Sequence, residues 1–130
     1  MIRDKLIPRL RERFPDRRVS FGEPPGPVAV FAAEHADVGD VEIFDDGGEV
    51  TLVTGRFTHG HFSDYVSGCV EEAEQRIVED VVAFLEDLFA DRIVLWGSHA
   101  GGGGWYGRDA QPQWPVTGPL YVWSGPLALH

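Results

Sequence analysis

Apolar and polar positions along this 130-residue chain follow two different periods. The clearest pattern lies in the middle, where apolar side chains recur at three- and four-residue spacing and acidic side chains fill most other positions. The apolar positions are Val70, Ala73, Ile77, Val81, Phe84, Leu85 and Leu88. Such spacing is typical of a helix with one apolar stripe. It predicts one amphipathic helix from about residue 64 to about residue 90, capped by Ser63, Asp64 or Ser67.

The N-terminal segment carries a similar stripe. Apolar side chains stand at intervals of four, with basic residues on the other faces, at Ile2, Leu6, Leu10 and Phe14. This pattern predicts a first helix, which Pro8 either kinks or delays. The Pro and Gly content of residues 15–27 predicts turn and loop after it.

Three apolar-rich runs, at residues 28–34, 38–44 and 49–57, predict strands, and "DDGG" between the last two is a hairpin signal. Beyond the long helix, "RIVLW" and "WYGRD" predict two strands joined by a glycine-rich loop, and "LYVW" predicts a short edge strand. The order is α-β-β-β-α-β-β. It predicts an α+β fold, in which an antiparallel sheet of about five strands carries both helices on one face.

The length of the chain predicts a single domain over residues 1–130. Its last part, residues 108–130, is rich in Pro, Gly and Trp. We expect this tail to be partly irregular, because proline cannot donate to a strand ladder.

Charge is distributed unevenly, and this excludes several classes of function. Residues 1–18 hold seven basic and three acidic side chains, whereas residues 23–91 hold two basic and seventeen acidic ones, and the chain carries a net charge of −10. A region with this much negative charge repels the phosphate backbone of nucleic acids, which argues against nucleic-acid binding. No apolar run is long enough to span a membrane.

Cysteine usage and the N-terminal segment bear on location. The single cysteine, Cys69, excludes an internal disulfide and fits a reducing compartment, and we expect it to pack as a small apolar residue under the sheet. The first eighteen residues lack the apolar core of a signal peptide. Together these features predict a cytoplasmic protein.

The stretch "GRFTHGHFSD" holds the most suggestive candidate chemistry. If it is extended, His59 and His61 point to one face and can reach a single zinc or other divalent transition metal ion. Asp64 or His99 would complete the ligand set and leave a position for water, as in a metal-dependent hydrolase. The alternative is that both histidines end a strand and hydrogen-bond the backbone of the next turn.

Four tryptophans recur every nine residues, at Trp96, Trp105, Trp114 and Trp123. The spacing is typical of strand-plus-turn units. Trp96, Trp105 and Tyr106 are therefore candidates for a contact surface on hairpins, although large aromatic residues also serve the packing of a core. The chain offers no convincing set of nucleophile, base and orienting group, which favours a non-catalytic role.

Element order, small size and acidity are similar to the plan of type III secretion chaperones. That resemblance implies a homodimer that binds extended segments of partner proteins, although the Gly/Pro/Trp-rich tail stands where a final helix would be expected. Small acidic antitoxin or immunity-type binders share the same gross properties. The sequence thus predicts a non-catalytic protein-interaction module, dimeric and without a cofactor, that is steered to a basic partner. The alternative is a small metal-binding protein or metal-dependent hydrolase that uses His59 and His61.

Overall fold

The computed structural model describes residues 2–55, 58–64, 68–98, 102–110 and 118–127. Within these ranges the chain forms, in order, α1 (Ile2–Arg13), β1 (Val19–Phe21), β2 (Ala29–Phe31), β3 (Val41–Asp45), β4 (Val50–Thr54), β5 (Thr58–Phe62), α2 (Val70–Phe89), β6 (Ile93–Ser98), β7 (Gly102–Gly107), β8 (Leu120–Val122) and β9 (Gly125–Pro126). The α+β class predicted from the sequence is confirmed.

Both predicted helices form, each with its apolar stripe buried. In α1 the residues Ile2, Leu6 and Leu10 are fully buried, and the helix runs through Pro8, so proline does not delay its start. Helix α2 begins about six residues later than predicted. Its N-cap is Cys69, which makes no side-chain capping bond and is exposed rather than packed under the sheet.

The first five strands form one antiparallel sheet in the order β1-β2-β3-β4-β5. Side chains alternate between its two faces, as the burial of Val41 and Ile43 in β3 and of Val50, Leu52 and Thr54 in β4 shows. The hairpin predicted from "DDGG" is the β3–β4 connection. Strand β1 falls in a segment predicted to be loop. It forms because it pairs with β2, which places its apolar residues against the core.

The strands after α2 form a second sheet, in the order β7-β6-β8-β9, instead of joining the first one. The chain therefore contains more strands than the sequence predicts. They form two sheets, whereas the sequence predicts one. Three glycines expected in a loop lie in β7, where Gly104 faces Trp96; a Cβ atom at position 104 would lie 2.8 Å from the indole ring. Strand β8 forms in the predicted "LYVW" segment, but it is interior, because β9 pairs with its outer side.

One hydrophobic core joins these elements. Both helices contribute their buried stripes, the first sheet contributes one face, and the second sheet contributes Ile93, Leu95 and Trp123. None of the helices in the described ranges has the length and apolarity to cross a bilayer. Because the helices cover one face of the first sheet, its other face points away from this core.

Candidate binding face of the five-stranded sheet

The strand register defines the face of the first sheet that points away from the helices. We call it the outer face; its residues, none of which is fully buried, are Ser20, Val30, Glu42, Phe44, Thr51, Val53, His59 and His61. Two cross-strand rows run over it. One row joins Val30, Glu42, Val53 and His59, and the other joins Phe44, Thr51 and His61.

The outer face combines apolar and acidic groups. Val30, Phe44 and Val53 are half-buried, and Glu42 stands between two of them in the first row. Two more carboxylates, Asp46 and Glu49, lie in the β3–β4 turn at its end. Residues 19–55 contain neither lysine nor arginine. The face therefore combines apolar side chains with one carboxylate among them and two more at its hairpin end.

A small hydrogen-bond network orients His61 on this face. Its Nδ1 atom lies 2.6 Å from a carboxylate oxygen of Glu49 and 3.1 Å from the hydroxyl oxygen of Thr51. The hydroxyl of Thr51 donates to Asp46. An ionised carboxylate only accepts hydrogen bonds, so Nδ1 of His61 is the donor to Glu49. In a neutral ring, Nε2 then keeps a lone pair available to a metal ion or to a donor on a partner.

His59 and His61 do share a face, as predicted, and both are exposed. Their ring centroids are 5.1 Å apart at an interplanar angle of 79°. Two imidazoles that bind one tetrahedral zinc ion at about 2.0–2.1 Å have centroids roughly 5 Å apart. Within the described residues, no group of three or more His, Cys, Asp or Glu side chains is placed to hold an ion. A metal ion bound by this pair would therefore have no third ligand from the described residues.

Of the two residues predicted to complete the ligand set, Asp64 does not add to this pair. The carboxylate of Asp64 is only 4% exposed and lies 3.4 Å from the guanidinium of Arg76, on the side of α2. His99 lies outside the described residues.

The predicted aromatic surface is divided between two faces of the second sheet. Register places Trp96 and Tyr106 on one face, whereas Trp105 shares the other face with the buried Leu95. Trp105 is 42% exposed and packs edge-on against Phe84 of α2, with 4.9 Å between centroids. The three residues therefore do not form one continuous platform.

The basic N-terminal segment is largely paired within the chain. Along α1, Lys5 contacts Glu74 at 2.9 Å, Arg9 contacts Glu79 at 3.0 Å and Arg13 contacts Glu86 at 2.8 Å. The hydrogen bond with Glu79 raises the pKa of Arg9 above its ordinary value. These three cations form ion pairs with α2, on the helix side of the sheet, so they do not neutralise the outer face.

Sequence reasoning identified both histidines but not the groups that orient His61. Glu49, Thr51 and Asp46 belong to the β3–β4 hairpin. Glu49 and Thr51 reach the imidazole only through the β4–β5 register, and Asp46 contacts Thr51. The alternation in "VEIF" and "VTLVT" was a signal for the apolar part of the face, since one residue in two had to point away from the core.

Comparison of the chain with protein-family models, with curated proteins and with solved structures gives no match.

Proposed function

We propose that this protein is a non-catalytic interaction module that binds, through the outer face, a partner protein with a basic surface. The observation that carries the proposal is the composition of that face: half-buried Val30, Phe44 and Val53, with the carboxylate of Glu42 among them and those of Asp46 and Glu49 at the hairpin end. Protein interfaces combine these two kinds of group, since apolar side chains exclude water and charged ones select the partner.

Charge complementarity favours a basic partner. Three of the five cations of α1 are paired with α2. Residues 19–55 contain no lysine or arginine, so β1 to β4 provide no cation beside the carboxylates of the outer face. A surface of one sign raises the association rate with a partner of the opposite sign. A second copy of the same face is a weaker candidate, because like charges brought together across an interface cost several kcal/mol. The homodimer expected from the sequence would need another surface.

The test compares two variants that change the net charge equally. Glu42→Arg with Val53→Arg reverses the outer face, whereas Asp80→Arg with Ala83→Arg adds the same charge to the exposed side of α2. We expect the wild-type chain and the α2 variant to capture the same basic protein from a lysate of the source cells. The outer-face variant should retain about one tenth of it or less.

Sedimentation and circular dichroism establish that both variants stay folded and in the oligomeric state of the wild type. Equal capture by the two variants, or capture of acidic proteins only, would refute the proposal. A purified partner would then give the affinity by calorimetry at several salt concentrations.

The second candidate function is binding of a transition metal by His59 and His61. The 5.1 Å separation of their rings favours it, as does the carboxylate of Glu49 on the far nitrogen of His61. Such a carboxylate orients a histidine ligand and makes it more basic. A two-ligand site leaves positions for groups from a partner or for water.

Zinc titration by calorimetry tests this candidate. We expect uptake of one ion per chain, loss of uptake in His59→Ala and in His61→Ala, and affinity about tenfold weaker in Glu49→Gln. The control is His35→Gln, which removes an imidazole from the β2–β3 connection. Zinc uptake that is unchanged in both alanine variants would exclude the pair as the site.

A further inference from the structure

A cleft of about 610 Å³ opens on the helix side of the first sheet, where α1 and α2 both end. Its size lies within the range of small-molecule sites. Three phenylalanines of the lining, Phe14, Phe31 and Phe89, pack with ring centroids 5.1–5.8 Å apart. Phe31 is 1% exposed, so the floor of the cleft is part of the core and is preformed.

Two arginines stand over this aromatic floor. The guanidinium of Arg17 lies 4.1 Å from the ring centroid of Phe89, and that of Arg13 lies 5.2 Å from the centroid of Phe14. These stacked arrangements hold flat cationic groups against the rings. A cationic ligand would have to displace these guanidiniums, because they already cover one ring face of Phe14 and one of Phe89.

The guanidiniums keep most of their donors for a ligand. Arg13 pairs with Glu86 at 2.8 Å, Arg17 pairs with Glu34 at 2.5 Å, and Arg18 donates to a backbone carbonyl at 3.2 Å. Each guanidinium has five N–H donors. Within the described part of the chain each arginine is hydrogen-bonded through one nitrogen, so several N–H groups at the cleft are left for an anion.

The charge of the cleft differs from that of the rest of the molecule. Its lining has three arginines against three carboxylates, from Asp16, Glu34 and Glu86, whereas the whole chain carries a charge of −10. The lining is therefore neutral in balance, and an anion meets no net repulsion from it. Planar guanidiniums also match a carboxylate, which they can bind through two parallel hydrogen bonds.

We propose that this cleft is a binding site for a small carboxylate with a flat apolar body. The flat body would stack on the guanidinium planes that cover the aromatic floor, and the N–H groups of Arg13, Arg17 and Arg18 that point into the cleft would bind the carboxylate. The site lies on the opposite side of the sheet from the outer face, so it does not depend on the function proposed above.

The experiment uses 2-naphthoate as the probe and neutral 2-naphthamide as its matched control, each titrated into ¹⁵N-labelled full-length protein. We expect chemical-shift changes at residues 13–18, 31–34 and 86–90, and amide binding about tenfold weaker than carboxylate binding. Arg18→Gln should weaken naphthoate binding by about tenfold, because it removes a charged donor without disturbing an ion pair.

Two alanines of α2 and its C-cap provide a steric test. Ala90→Leu places a larger side chain in the cleft lining and should abolish binding, whereas Ala83→Leu adds the same side chain to the exposed helix surface and should leave binding unchanged. Equal binding of naphthoate and naphthamide, shift changes confined to other residues, or no binding of naphthoate at millimolar concentration would overturn the proposal.

Discussion

At the scale of single residues, the clearest backbone requirement is at Gly55, which follows β4. It has a φ of +56°, and a Cβ atom there would lie 1.8 Å from the carbonyl oxygen of Val38. Its amide donates to the carbonyl of Asp40 at 2.8 Å. Glycine is required here by conformation and by space, because the β2–β3 connection passes directly against the end of the strand.

Substitution of this glycine should therefore be costly. We expect Gly55→Ala to lower the free energy of unfolding by about 2–4 kcal/mol, through the positive φ and the clash with backbone. Gly47→Ala is the control, because its φ of +92° is also unfavourable but nothing lies within 4 Å of the added carbon. It should cost about 1 kcal/mol. Urea denaturation measures both, and equal losses would contradict the steric argument.

At the scale of elements, α1 and α2 are joined by a row of ion pairs beside their apolar stripes. The most sheltered is Lys5–Glu74, whose side chains are 34% and 14% exposed, whereas Arg13–Glu86 is 46% and 35% exposed. Burial decides how much each pair contributes, since exposed pairs are screened by water and salt. The row fixes how the helices lie side by side more than it stabilises them.

A double-mutant cycle tests this ranking. We expect Lys5→Gln and Glu74→Gln to show a coupling energy of about 1 kcal/mol at low salt, and less in 1 M NaCl. The more exposed pair, Arg13 and Glu86, should show a coupling of about 0.3 kcal/mol. Chemical denaturation of the two cycles gives these values. A larger coupling for the exposed pair would mean that burial does not set the order.

At the scale of the whole molecule, one core connects two sheets, between which the described residues form no strand pairing. Trp123 of the second sheet is 1% exposed and packs on Phe89 of α2, with 5.1 Å between ring centroids. Hydrogen bonds also connect the segment after α2 to this sheet. The carboxylate of Asp91 accepts them from the amide and the hydroxyl of Ser124, which lies between β8 and β9. Both contacts predict that the sheets unfold together.

Replacement of the buried tryptophan tests this cooperativity. Trp123→Phe keeps an aromatic ring, leaves a small cavity and removes an indole N–H that has no partner among the described residues. We expect a loss of about 1–2 kcal/mol and one transition, with tryptophan fluorescence and far-ultraviolet circular dichroism giving the same midpoint. Separate midpoints for the two signals would show that the second sheet unfolds on its own.

The sequence alone determined the elements whose pattern is local. The stripe from Val70 to Leu88 predicted α2, the turn residues 45–48 predicted the β3–β4 hairpin, and the spacing of His59 and His61 predicted that they share a face. These inferences succeeded because side-chain period and turn chemistry depend on near neighbours.

Tertiary structure decided the features that depend on contacts between distant segments. Strand β1 forms because it pairs with β2. The strands after α2 pair with each other and form a second sheet. The orientation of His61 depends on side chains of the β3–β4 hairpin. The arginine-lined cleft likewise joins the ends of both helices to β2. No local pattern encodes such contacts, because they depend on which segments pack together.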